Sequence, residues 1–197
     1  FLEKNKDYSA CVHNTLQLNC KSGLKSYINE SNIDMDLKFS KVVERGNSQF
    51  QLSSLVCRKD LFVLPEEMKA NGFGDYPLAI YLMFNGKIRY KETMSVYRLF
   101  SEGSWTSKNY LNVSPFKQVE TQKDIIDFLN KLYIYCQENQ MDQEYLNEIE
   151  KVLRVQNAEM LFIKKDGYHL IKNYKDVYNS YPWKKKLKVI FPFLRNC

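Results

Sequence analysis

The chain has 197 residues, of which 44% are hydrophobic and 14% aromatic, so it can form a folded core and is not an intrinsically disordered protein. Seven glycines and five prolines are too few for a flexible or proline-rich linker. The net charge of +6 is concentrated in residues 181–197, which carry five basic and no acidic side chains. Because the remainder is nearly neutral, we expect no nucleic-acid partner.

Five cysteines are spread along the chain, and their spacing matches no metal-binding pattern. We therefore expect free thiols in a reducing compartment. The chain contains neither a signal-peptide pattern nor about 20 consecutive apolar residues, the length that a membrane-spanning helix needs. These features predict a cytoplasmic protein whose contact with a membrane, if any, is peripheral and on the inner face.

The first part of the chain mixes strand and helix signals. Residues 1–5 resemble the last turn of a helix that begins upstream, and the β-prone residues 8–12 predict a strand. Residues 19–32 are polar and rich in turn formers. Residues 39–43 fit a short strand or a short helix, and residues 49–57 fit no single element.

A helix is predicted more clearly after residue 74. Asp75 stands where its carboxylate can accept the free backbone N–H groups of a first turn, and Pro77 is tolerated because those groups have no partner within the helix. Apolar residues then recur at helical spacing until Gly86, which can adopt the left-handed conformation that ends a helix. Residues 88–90 and 93–99 follow as two predicted strands.

The chain changes character after Pro115. Three amphipathic helices are predicted there, over residues 121–136, 142–164 and 170–178. Thr121 and Asp124 have the spacing of a capping box, which marks the start of the first of them. We expect an α/β fold with a mixed sheet over residues 1–114, followed by a mostly α-helical region over residues 115–197.

Asp75 is the first candidate for chemistry, and two interpretations of it are compatible. As a structural residue it caps the helix. As a general base it takes the proton from an acceptor hydroxyl that attacks an electrophilic carbon. One carboxylate oxygen can cap the helix while the other faces a cleft.

Two other groups of polar residues are weak candidates for a metal site. Asp34-Met35-Asp36 has an Asp-x-Asp pattern, but a three-residue pattern is weak evidence and a solvated surface stretch is the preferred interpretation. His13 and His169 have no further ligands at metal-binding spacing. We therefore predict no metal ligand in this chain.

Four short segments form an ordered series that includes Asp75. They are Gly74-Asp75, Gly86-Lys87-Ile88, Met94-Ser95-Val96-Tyr97-Arg98 and Gly103-Ser104-Trp105-Thr106. In this order they resemble the acceptor-side half of family 2 glycosyltransferases, which move a sugar from a nucleotide diphosphate to a hydroxyl group. Residues 1–14 and 53–58 are similar to other segments of that family.

The resemblance implies an A-type glycosyltransferase fold, a nucleotide-diphosphate sugar as donor and inversion at the anomeric carbon. It makes Asp75 the general base and places Gly74, Arg98 and Trp105 on the acceptor and leaving-group side. Arg98 then contacts the diphosphate, although a structural ion pair explains it equally well. Trp105 either stacks on a sugar beneath a lid or anchors the core.

The family's nucleotide-binding half and its Asp-x-Asp metal motif lie upstream of the segment that begins at Phe1. The resemblance therefore implies that the complete enzyme uses a divalent metal, Mg²⁺ or Mn²⁺, whose ligands are not in this chain. We expect residues 1–197 alone to be inactive. Phe100 stands where family members often carry a histidine, so a leaving-group role of that histidine does not carry over.

The C-terminal segment combines cations with apolar residues. Its candidate membrane-associating residues are Trp183, Lys184, Lys185, Lys186 and Lys188. The segment is either a final helix packed on the protein or a peripheral anchor on an anionic membrane surface.

The sequence thus predicts a bacterial-type glycosyltransferase of cell-surface polysaccharide or glycolipid synthesis, acting on a glycan or a lipid-linked acceptor. The main alternative is a non-catalytic module for membrane association or protein interaction on a partial glycosyltransferase scaffold. A basic nucleic-acid-binding domain is the weakest of the three hypotheses. The effect of Asp75→Asn on sugar transfer separates the first two.

Overall fold

The computed structural model describes residues 1–30, 33–45, 49–70, 74–104 and 114–191. The chain divides into two compact units, Phe1–Val113 and Ser114–Cys197. Within the described residues, the first unit holds a mixed sheet with helices, and the second unit is helical. The protein is therefore mixed α/β, as the sequence predicts.

The sheet of the first unit is built on two long parallel strands, β1 (Tyr8–Asn19) and β5 (Lys87–Leu99). Three short strands pair antiparallel with them. β2 (Lys25–Tyr27) and β4 (Val56–Cys57) lie along the outer edge of β1, and β3 (Met35–Asp36) lies along the outer edge of β5. Parallel neighbours need a long crossover connection, and the chain between β1 and β5 supplies it.

Both central strands are longer than predicted. β1 continues beyond Val12 to Asn19, and β5 runs without a break through the charged residues 91–92. The register shifts at this point, where His13–Thr15 of β1 lies opposite Lys91–Ser95 of β5. Such an irregularity lets one strand take up extra residues while the alternation of side chains continues on both sides of it.

The core of the first unit lies between one face of the sheet and α2 (Asp75–Phe84), with α1 (Phe39–Arg45) packed on α2. Its fully buried members are Ala10, Val12, Val42, Ile80, Leu82, Ile88 and Tyr90. The segment 39–43, which fits either a strand or a helix in sequence, is thus helical. α2 ends before Asn85 and Gly86, as predicted, with Asn85 as its C-cap and Gly86 at a φ of +147°.

The described segment 49–70 contains short irregular elements in addition to β4. They are the 3-10 turns Leu52–Ser54, Lys59–Leu61 and Glu66–Met68. Met68 is 1% exposed and so contributes to the core, whereas Phe62 and Val63 are exposed. The absence of a clear periodicity in residues 49–57 agrees with this local structure.

The helical unit begins with α3 (Pro115–Glu138) and α4 (Gln143–Ile163), which pack against each other. Their apolar stripes are buried and include Phe128, Leu129, Leu132, Leu146 and Ile149. α4 begins next to Asp142, as predicted; Asp142 is its N-cap, and the carboxylate accepts the backbone N–H of Glu144 at 3.0 Å.

The start of α3 shows that the predicted capping box at Thr121 is wrong. The helix begins at Pro115, and its N-cap is Ser114, whose Oγ accepts the backbone N–H of Lys117 at 3.2 Å. Serine before proline is the better start signal here, because serine supplies the acceptor and proline at N1 lacks an N–H that would go unpaired.

Three short helices follow in the described residues, α5 (Gly167–Asn173), α6 (Lys175–Ser180) and α7 (Trp183–Ile190). The prediction of one helix over residues 170–178 is wrong, because Tyr174 leaves the helical conformation with φ −133° and ψ 45°. The short helices share a core with α4, formed by Ala158, Leu170, Val177, Tyr181 and Val189.

Candidate functional site

Asp75 is the first residue of α2 and lies one position inside the helix rather than before it. The N-cap is Gly74, which is exposed and offers no side chain to the first turn. The half-buried Asp75 carboxylate accepts the backbone N–H of Tyr76 through Oδ1 at 3.1 Å. Its negative charge also lies at the positive end of the helix dipole, where a carboxylate is favoured.

The second carboxylate oxygen of Asp75 has a different environment. Oδ2 forms no hydrogen bond or ion pair with any residue in the described ranges. The space next to it on the chain is open as well, because a Cβ built on Gly74 would meet no described atom within 4 Å. One oxygen is therefore held by the helix, while the other is available to an incoming group.

Tyr76 fixes the start of α2, and the sequence pattern did not single it out. Its ring is 5% exposed, and its hydroxyl donates a hydrogen bond to the backbone carbonyl of Val43 at 2.6 Å. Burial raises the pKa of this phenol well above its usual value, so the hydroxyl keeps its proton. The contact ties the first turn of α2, and with it Asp75, to the end of α1.

Arg98 lies near the end of β5, opposite Leu18 of β1, and its side chain is exposed. It forms no ion pair with any residue in the part of the chain that the structure describes. The alternative that Arg98 is a structural ion-pair partner therefore has no support among those residues.

No described hydrogen bond or ion pair joins Arg98 to Asp75. α2 covers about 15 Å from Asp75 to its end, given a rise of about 1.5 Å per helical residue. Arg98 lies about 35 Å along the strand from Lys87, given about 3.3 Å per residue. For a helix packed antiparallel to β5, these lengths place the two Cα atoms roughly 20 Å apart along the strand direction.

The loop after β5 begins with a backbone that bulky residues seldom adopt. Phe100 has a φ of +59° and Gly103 a φ of +73°, and the N–H of Ser104 bonds the carbonyl of Ser101 at 3.1 Å. Residues 100–104 therefore form a tight turn at the end of β5. Trp105, the proposed stacking residue, lies outside the described residues.

The Asp-x-Asp of β3 is bound to basic residues of β5. Asp36 accepts a hydrogen bond from Nη1 of Arg89 at 3.1 Å, and Asp34 is paired with Lys91. The hydrogen bond from Lys91 holds the pKa of Asp34 below its usual value. Because each carboxylate already has a cation, this pair does not fit a metal site, and no group of three potential metal ligands occurs in the described ranges.

Two polar residues of the first unit, the half-buried Arg58 and the buried Asn14, have structural roles. Arg58 donates to the carbonyls of Tyr8, Leu2 and Asn5 at 2.9–3.1 Å and so holds the first turn of the chain on β1. Asn14 is fully buried and joins three segments. Its Nδ2 donates to the backbone carbonyl of Asn29, and its Oδ1 accepts the backbone N–H of Asn29. The same Oδ1 accepts a hydrogen bond from the Tyr90 hydroxyl at 2.9 Å.

The candidate membrane residues of α7 do not share one environment. Trp183 is 67% exposed, and Lys184 extends over its ring. Lys185 instead points inward, where it pairs with Glu159 and lies 3.9 Å from the centre of the Tyr181 ring. Lys186 and Lys188 are half-buried.

An open groove of about 530 Å³ runs along α4 in the helical unit. Its lining includes Asn147, Lys151, Arg154, Asn157 and Tyr174. Arg154 is already engaged there, because its Nε bonds Asp176 at 2.8 Å and its guanidinium lies over the Tyr174 ring. The guanidinium of Arg154 is therefore part of a structural ion pair at one side of the groove.

Comparisons with family models, with curated proteins and with solved structures give no match for this chain. In the described ranges, none of the helices combines the length and the apolar character needed to cross a bilayer.

Proposed function

We propose that this chain forms the acceptor-side part of an inverting sugar transferase of the family 2 type, with Asp75 as the general base. The proposal rests on the ordered motif series around Asp75 and on a mixed α/β unit in which that residue opens a helix. The partial A-type fold, the nucleotide-sugar donor and the glycan or lipid-linked acceptor are parts of the same proposal.

The observation that carries the proposal is the asymmetric bonding of the Asp75 carboxylate. Oδ1 is fixed by the Tyr76 N–H at 3.1 Å, and Oδ2 has no partner among the described residues. A carboxylate held at one oxygen and open at the other is oriented without being neutralised. General-base catalysis requires this arrangement, because the free oxygen must reach the hydroxyl proton directly.

The proposed reaction is a single displacement. As the acceptor oxygen forms a bond to the anomeric carbon, Oδ2 of Asp75 takes the hydroxyl proton. The bond from that carbon to the diphosphate oxygen breaks on the opposite side, and the diphosphate leaves with the bonding electron pair. Attack opposite the leaving group inverts the anomeric centre.

The other proposed residues have supporting roles. Gly74 leaves room beside Asp75 for the acceptor, since no described atom lies within 4 Å of a Cβ placed there. Arg98 and Trp105 are proposed to act on the leaving group or the acceptor. A bound ligand or another segment would have to bridge the distance between these residues and Asp75. The described residues provide no fitting metal ligands, so no step of the proposal runs through a metal held by them.

The test uses the chain with its native upstream region restored and a panel of nucleotide sugars, with release of nucleoside diphosphate as readout. Asp75→Asn keeps an oxygen for the Tyr76 N–H but removes the base, so kcat should fall by about 100-fold to 10,000-fold. Asp142→Asn is the matched control, because it also changes a helix-start aspartate to a good capping residue. Undiminished kcat in Asp75→Asn would exclude Asp75 as the base.

A non-catalytic module for membrane association or protein interaction is the second candidate. The exposed apolar residues of α7, Trp183 and Ile190 among them, favour it. The same experiment separates the two, because a scaffold without activity would release no nucleoside diphosphate even with the upstream region restored. In both cases we place the protein in the cytoplasm, at the inner face of the membrane.

A further inference from the structure

α7 has two different faces. Its inner face packs on the rest of the helical unit through Val189, which is 2% exposed and belongs to the core with Leu170 and Val177. Lys185 lies on this inner side, paired with Glu159. The first residue of α5, Gly167, approaches so closely that a Cβ there would lie 2.6 Å from the Val189 carbonyl oxygen. The helix is therefore held in one rotational orientation.

The opposite face of α7 is apolar and faces solvent. Trp183 is 67% exposed, Leu187 38%, Ile190 52% and Phe191 43%. These positions are separated by four, three and one residues, which at about 100° per residue places them within one arc of the helix surface. Four large apolar side chains thus form a continuous stripe, which we call the outer stripe.

Lysines border the outer stripe. At about 100° per residue, Lys184 and Lys188 fall on one side of it and Lys186 on the other. The helix contains no acidic residue. Glu159, an acid of α4, is paired with Lys185 on the inner face. The outer stripe is therefore apolar at its centre and positive along both edges.

We propose that the outer stripe is a lipid-binding surface, which lies in the interface of an anionic bilayer with the axis of α7 parallel to the membrane. An interfacial helix needs an apolar face that enters the acyl boundary and cations that reach the headgroups. Trp183 suits the boundary itself, because its ring is apolar and its N–H is polar. This inference is independent of the proposed sugar transfer.

A lipid surface explains the arrangement better than a protein partner does. Positive charge on both edges matches a diffuse layer of negative headgroups; Lys184 is exposed on one edge, and Lys186 on the other donates to the carbonyl of Asn179 at 2.8 Å and so keeps its charge at a fixed place. Tyr168 of α5 is 69% exposed, with Lys172 over its ring, and follows Gly167, which contacts α7. The same combination of an exposed aromatic ring and a lysine therefore occurs a second time, next to the contact between α5 and α7.

The test is co-sedimentation of the whole chain with vesicles. The protein should bind vesicles of phosphatidylcholine with about 30% phosphatidylglycerol and bind weakly to phosphatidylcholine alone, since the cations need anionic lipid. Raising the salt to about 0.5 M should weaken binding by screening. The fluorescence of Trp183, measured in a Trp105→Phe background, should shift to shorter wavelength when anionic vesicles are added.

Two variants separate the apolar and electrostatic contributions. Leu187→Ser with Ile190→Ser should lower vesicle binding at least tenfold, whereas Ile134→Ser, at a comparably exposed position on α3, should not change it. Lys184→Gln with Lys188→Gln should lower binding by roughly 30-fold, at about one decade per 1.4 kcal/mol and about 1 kcal/mol per lysine. Circular dichroism should show that every variant remains folded.

Several results would overturn the proposal. The wild-type chain could fail to bind anionic vesicles, or folded Leu187→Ser/Ile190→Ser could bind them as the wild type does. A concentration-dependent dimer that this double variant abolishes, without vesicle binding by the wild type, would instead make the outer stripe an interface between copies of the chain.

Discussion

Replacing Gly167 by alanine tests whether the backbone contact between α5 and α7 holds the helical unit together. Gly167 begins α5, and a Cβ on it would lie 2.6 Å from the carbonyl oxygen of Val189 and 3.2 Å from its Cγ1. Real Cβ atoms essentially never approach another heavy atom closer than 3.0 Å. The start of α5 and the end of α7 must therefore move apart by at least about 0.4 Å.

The magnitude follows from two opposing effects. Alanine is favoured over glycine in a helix by at most about 1 kcal/mol. Forcing an extra methyl group into a packed contact costs about 1–3 kcal/mol, and a backbone oxygen cannot rotate away as a side chain can. We expect the free energy of unfolding of Gly167→Ala to fall by about 1–2 kcal/mol, or roughly 4–16 °C in Tm for a unit of this size.

The assay is thermal unfolding followed by the helical circular dichroism signal, together with amide hydrogen exchange of α7. Val189→Ala provides the control, because it removes Cγ1 but leaves the carbonyl oxygen. The double variant Gly167→Ala/Val189→Ala should therefore be less stable than either single variant. If Gly167→Ala is as stable as the wild type, or if Val189→Ala restores its stability, the backbone clash is refuted.

Three further predictions concern other parts of the chain. Gly86→Ala should destabilise the first unit by about 2–4 kcal/mol in urea unfolding, because its φ is +147° and a Cβ would lie 2.9 Å from the carbonyl oxygen of Asp7; an unchanged midpoint would contradict this. Hydrogen bonds from Arg154 lower the pKa of Asp176 from 3.8 to about 2. The ion pair therefore stabilises the fold above pH 3.8, and this contribution is lost as the pH falls through about 2. The stability difference between the wild type and Asp176→Asn should accordingly shrink over that range in urea titrations, and a difference independent of pH would argue against the pair. Burial raises the pKa of Cys136 to about 11, so mass spectrometry should find this thiol unlabelled by a maleimide at pH 8 in the folded protein and labelled in denaturant; rapid labelling of the folded protein would refute its burial.

Local patterns were sufficient where one residue decides the structure. Asp142 has a cap acceptor in front of an apolar stripe, and α4 begins directly after it. Gly86 can adopt a positive φ without strain, and α2 ends just before it. In both cases the determinant is a backbone bond or dihedral angle within a few residues, which a sequence states directly.

Local patterns failed where two signals competed or where distant segments decided. Thr121 and Ser114 both offer a cap, and the proline after Ser114 favoured the earlier start. The helix predicted over residues 170–178 breaks at Tyr174, where the chain turns so that both α5 and α6 contact α4. Packing against another helix is not encoded in local periodicity, because propensity is weak compared with burial.

For the candidate site, the sequence determined the chemistry, namely a carboxylate at the start of an apolar helix and a cluster of lysines near the C-terminus. The bond from the Tyr76 N–H to Asp75 is local, because the two residues are neighbours in the chain. Tertiary structure alone decided the environment of the lysines, since Glu159 draws Lys185 inward while Trp183 stays outside. The physical reason is that residue identity specifies which groups can ionise or bond, whereas packing between segments far apart in the chain determines which of the lysines already has a partner.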